Sequence, residues 1–109
     1  MTPYQLFLRQ TAALSVDDES YLVDLTRALK EYIENMYHIR IKGKTSSEII
    51  DELRDTPFSD NMLHDIESWL RSCDRMKFSG LDVNTAEKQS HYENLLSLTD
   101  RVDSMEETT

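Results

Sequence analysis

Apolar residues recur at helical spacing along most of this chain, with polar residues filling the positions between them. The pattern is clearest from Thr45 to Gly80. Ile49, Ile50 and Leu53 form one stripe, Asp55-Thr56-Pro57 interrupts it, and Met62, Leu63, Ile66, Trp69, Leu70 and Cys73 form a second. Steps of about three and four residues put each set on one side of a helix, a side that must be covered by something else. The reading is a short helix, a turn, and a longer helix that ends in the loop Lys77-Phe78-Ser79-Gly80. Thr45 and Glu48 have capping-box spacing, Pro57 stops the first helix, and Ser59 with Asp60 behind it starts the second.

The flanking segments supply the cover. Thr2-Pro3 opens a helix that carries Tyr4, Phe7, Leu8 and Leu14 on or near one face. Ser15-Val16-Asp17-Asp18-Glu19 breaks the pattern and gathers acid at the start of the next helix, where the positive dipole end favours it. Tyr21, Leu22, Leu25, Ala28, Leu29, Tyr32, Ile33 and Met36 then predict a helix to Tyr37 or His38. Ile39 to Lys44 is a loop in which Gly43 allows a reversal. After Leu81-Asp82-Val83, Asn84 and Glu87 start a last helix carrying Ala86, Tyr92, Leu95, Leu96, Thr99, Val102 and Met105, and residues 106–109 read as a disordered tail.

The expected fold is all-α, a single compact bundle of about five helices, two of them long, in which Thr45 to Cys73 looks like a helix-turn-helix pair. Its core is expected to contain Leu25, Leu29, Ile33, Ile50, Leu53, Leu63, Ile66, Trp69 and Leu70. The Trp69 indole N–H should reach a polar edge. Phe78 is expected to fold back over Trp69 or Leu70, the alternative being a partner-contact tip.

Composition narrows the function classes. A chain of 109 residues is long enough for one cored domain, and two Gly with two Pro give little material for the turns of an all-β fold. Against 21 Asp+Glu there are 12 Lys+Arg, a net charge of -9, which argues against a general grip on a phosphate backbone. Asp60, Asp65 and Glu67 also stand where a recognition helix needs cations and amides. The one cysteine, Cys73, excludes an internal disulfide and fits a reducing compartment. No run approaches the roughly 18 apolar residues of a membrane span.

Candidate chemistry is sparse. His64 and Glu67 could share a helix face, but His38 and His91 have no partner at metal-site spacing, so all three read as surface histidines. Cys73 lies on the apolar stripe among Arg71, Asp74 and Arg75, and is read as a packing residue rather than an activated thiol. No nucleophile has a base, and no cofactor site, metal site or enzyme is expected. Two basic islands remain as candidate partner contacts: Arg40, Lys42 and Lys44, and Arg75 and Lys77 with Phe78. Asp74 and Lys77 have ion-pair spacing near a helix end.

One resemblance covers most of the chain. The pattern Tyr21, Leu25, Leu29, Tyr32-Ile33, then Lys44-Thr45-Ser46-Ser47-Glu48-Ile49-Ile50 and Leu53, then Leu70, Cys73-Asp74 and Lys77-Phe78-Ser79-Gly80 resembles the cytosolic helical tail of BatD-type aerotolerance proteins and related bacterial membrane proteins. Thr2-Pro3-Tyr4 resembles the segment that follows the membrane span in that group. The resemblance implies a non-enzymatic protein–protein interaction module on the cytoplasmic face of the inner membrane. Its partners would include von Willebrand factor A domain proteins or a MoxR-type AAA ATPase. It also implies that the chain is a domain excised from a longer membrane-anchored protein, since the span is absent from it. The alternative is a stand-alone soluble adaptor or regulatory protein with weak DNA contact.

Overall fold

The computed structural model describes residues 1–78 and 83–107, with side chains described up to Ser104. Five helices follow in order: α1 Pro3–Ala12, α2 Tyr21–Tyr37, α3 Ser46–Leu53, α4 Asp60–Phe78 and α5 Thr85–Glu107. The fold is all-α, and no helix among the described residues is long and apolar enough to cross a membrane.

The caps account for where the helices begin. Thr2 with Gln5 and Thr45 with Glu48 form reciprocal capping boxes, and Pro3 stands in the first turn of α1. The Ser59 hydroxyl accepts the Met62 N–H at 3.2 Å, and Asn84 accepts the Glu87 N–H at 2.7 Å. His38 ends α2 in the left-handed region at φ 56, a conformation in which residues other than glycine are uncommon.

Helix α4 is the hub: it packs on α2, α3 and α5, while α1 packs on α2. Every residue of the expected core is buried, as are Ile49, Met62 and Cys73. Tyr4 and Phe7 of α1 meet Tyr32 of α2 at ring separations of 5.6 and 5.5 Å, which closes the α1 side of the core. The radius of gyration of 13.5 Å is close to the roughly 13 Å of a compact domain of this length.

The loop after α2, expected to reverse at Gly43, also contributes to the core. The Glu34 carboxylate accepts the backbone N–H groups of Ile41 at 2.8 Å and Lys42 at 3.0 Å. This folds the chain back so that Ile41 is fully buried, with Gly43 at φ 81 making the reversal. Burial works against a charged Glu34, yet the two backbone bonds, Lys42 and Arg40 outweigh it and hold the carboxyl below its usual range. Phe58, next to the Pro57 stop, is also buried and meets Tyr37 edge-on at 5.0 Å.

Some expectations are corrected. Leu8 is an exposed residue of α1, while Thr11, which the spacing sets between the apolar positions of that face, is buried, its hydroxyl bonding to the Phe7 carbonyl and lying 3.1 Å from the Tyr92 hydroxyl. Ala86 is exposed, whereas Leu98 joins Leu95, Thr99 and Val102 in the core. Lys77 and Phe78 belong to the last turn of α4 rather than to a loop. Phe78 does not cover Trp69 or Leu70, being 81% exposed. Ser79, Gly80, the Leu81-Asp82 turn and the Met105 side chain lie outside the described residues.

Candidate functional site

The basic islands divide. Lys44 is paired with Glu52 of α3, Arg75 donates to Ser72 one turn back on α4, and Arg40 is exposed beyond the end of α2. Lys42 and Lys77, distant in sequence, come to the edge of one depression of about 240 Å3 that Val23, Thr26, Arg27, Lys30 and Gly43 also line. A second depression of about 580 Å3 adjoins it, sharing Val23 and Lys77 and adding Glu19, Leu22, Met76, Phe78, Val83 and Lys88. Lys77 pairs with Asp74 at 3.4 Å, as their spacing suggested, and its ammonium lies 5.9 Å from the centre of the Phe78 ring. Of the six candidate contacts, Lys42, Lys77 and Phe78 therefore share one face.

Arg27, Lys30 and Lys88 belong to this face and were missed in the sequence. A signal exists for two of them, since Val23, Arg27 and Lys30 fall at steps of four and three on the side of α2 away from its core stripe. Val23 is 43% exposed, so an apolar surface formed by Val23 and Phe78 is left open beside cations.

Beneath this face lies Cys73. Its sulfur is 3.1 Å from the Thr26 hydroxyl and 3.6 Å from the Leu22 carbonyl, and the residue is fully buried. Burial raises the thiol pKa and outweighs the opposing effects of the Thr26 contact and Lys77. Labelling of the native domain by a thiol reagent is expected to be slow and to accelerate sharply in denaturant. Rapid labelling without denaturant would show that the thiol is open to chemistry.

A third depression, about 350 Å3 between α4 and α5, is polar and includes Asp65, Ser68, Ser72, His91, Asn94 and Arg101. Here the reading of three surface histidines is corrected. His64 and His38 are exposed, but His91 is buried and stacks on Trp69 with ring centres 4.4 Å apart and an interplanar angle of 11°. The Trp69 indole N–H donates to the His91 carbonyl at 3.0 Å. His91 Nε2 is buried without a hydrogen-bond partner among the described residues. Burial lowers the imidazole pKa from its ordinary 6.5 to about 4, so the ring is neutral near pH 7.

The suspected His64–Glu67 pair is not assembled, as Glu67 bonds instead to Arg71 at 3.3 Å. Among the described residues no three of His, Cys, Asp and Glu are grouped to hold a metal ion. Comparison of the chain with family models, with curated proteins and with solved structures finds no match.

Proposed function

We propose that this chain is a non-enzymatic protein-interaction domain whose contact face joins the end of α4 to the outer side of α2. The observation that carries the proposal is the Phe78 ring, 81% exposed beside Val23 and flanked by Lys77 and Lys88. An apolar surface rimmed by polar groups marks a place where another molecule sits. The cations on an acidic body select a partner with an acidic patch, and charge steering makes the association rate fall with added salt. As part of this proposal, the contact lies on the cytoplasmic face of the inner membrane, with von Willebrand factor A domain proteins or a MoxR-type AAA ATPase as the partners that the resemblance to BatD-type tails implies.

The test mixes the purified domain with the cytosolic parts of such proteins encoded beside it. Reversal of Lys42 and Lys77 to Glu is expected to weaken binding by about tenfold or more, as is Phe78→Ser. Lys44→Glu, on the α3 side, is expected to have little effect. If no neighbour binds, or if the Lys42 and Lys77 reversals leave binding untouched, the proposal fails.

A further inference from the structure

The smaller depression has a feature that an apolar protein contact does not require. Arg27 and Lys30 of α2, Lys42 of the α2–α3 loop and Lys77 of α4 converge on it from three parts of the chain. They are four of the 12 basic residues, and among the described residues no carboxylate lines the same space. Gathering like charges in one hollow is unfavourable, and a chain with this surplus of acid offers many ways to disperse them.

The carboxylates that do pair with these cations are not among the residues lining the hollow. Asp24 lies 3.5 Å from Arg27, Glu31 and Glu34 lie 3.2 and 3.8 Å from Lys42, and Asp74 lies 3.4 Å from Lys77. Lys30 has no ion pair among the described residues. The Lys77 side chain is only 18% exposed, and the charges of Lys77 and Lys30, from different helices, both act on the Cys73 thiol beneath Thr26, though less than its burial does. At the rim, Gly43 keeps the approach free of a side chain.

We propose that Arg27, Lys30, Lys42 and Lys77 form a binding site for a phosphoryl group, as a phosphate monoester or diphosphate. Arg27 presents a planar fork suited to two phosphoryl oxygens, and the three ammonium groups neutralise the remainder. A phosphoryl group carries a charge of about -1.5 to -2 near neutral pH, a closer match to several converging cations than one carboxylate. The hollow of about 240 Å3 suits the group itself, carried by a small solute or by a lipid headgroup. This site stands whether or not the neighbouring apolar surface binds a protein.

The test is an amide NMR titration of the full chain with inorganic pyrophosphate, against sodium chloride at matched ionic strength. A parallel arm uses co-sedimentation with phosphatidic acid vesicles against phosphatidylcholine vesicles. Saturable shifts at Val23, Thr26 and Gly43 are expected with pyrophosphate and not with chloride. Lys30→Gln and Lys77→Gln should each weaken binding by about tenfold, while Arg54→Gln, on an exposed pair with Asp51, should not. Thermal melts check folding, and Lys30→Gln, which breaks no ion pair among the described residues, decides the matter should Lys77→Gln be unstable. Pyrophosphate binding alone assigns a soluble ligand, and binding to phosphatidic acid alone assigns a headgroup. Binding in neither arm, shifts reproduced by chloride, or full affinity in Lys30→Gln would overturn the site.

Discussion

Replacing Trp69 by alanine is expected to cost about 3–5 kcal/mol of folding free energy, measured as a lowered midpoint in urea at neutral pH. The side chain is 6% exposed, fills the seam between α4 and α5, stacks on His91 and donates its N–H to the His91 carbonyl. Helix α5 packs chiefly on α4, so loss of this side chain loosens that seam. A small domain has only about 5–15 kcal/mol in total, which leaves the variant near the edge of folding. Trp69→Phe should lose less, about 0.5–1.5 kcal/mol for the indole hydrogen bond, since the His91 carbonyl lies within α5 and keeps its helical bond. A loss below about 1 kcal/mol for the alanine variant would mean that the α4–α5 seam is not packed as described.

Acid should loosen the same seam. His91 has a folded-state pKa of about 4 against an ordinary 6.5, because burial disfavours the imidazolium. The unfolded chain therefore binds the extra proton first as pH falls. The stabilisation is fully present above about pH 6.5, declines between 6.5 and 4, and is flat below. Between pH 7 and 4.5 this amounts to about 2–3 kcal/mol, on the order of two pKa units at about 1.4 kcal/mol each. Asp65 and Arg101, which share the depression, are bonded to each other at 2.9 Å. Carboxylates elsewhere also titrate in this range, so the comparison is with His91→Phe, which keeps a ring against Trp69 and takes up no proton. The wild type should lose about 2–3 kcal/mol more than the variant over that interval. Equal losses would show that His91 is hydrated.

What could be read from the sequence was the part encoded locally. Helical stripes placed Leu25, Ile33, Ile66 and Cys73 in the core because each is repeated by neighbours three and four residues away. Capping pairs such as Thr45 and Glu48 are likewise set by short spacing. Ile41 and Phe58 belong to no stripe, and their burial depends on Glu34 folding back one loop and on Tyr37 receiving the other. His91 is polar, and only the Trp69 ring, 22 residues away, makes its burial possible. At the candidate site the sequence showed Lys42 and Lys77 as cations but not that they meet. That meeting is set by α4 lying against α2, a tertiary fact with no local signature. Phe78 is exposed because α4 continues through it, where the sequence suggests a loop folding back over Trp69 or Leu70.

Glu34 links two properties that would ordinarily be assigned to different residues. Its carboxylate holds the Ile41 and Lys42 amides, so one group both seats Ile41 in the interior and sets where the Lys42 ammonium stands. Folding and recognition are thereby joined at a side chain that lines neither depression on the α2–α4 face. A scan of this face that scored only binding would credit Glu34 with touching the ligand, whereas its part is that of a hinge pin, keeping the loop shut before any ligand arrives.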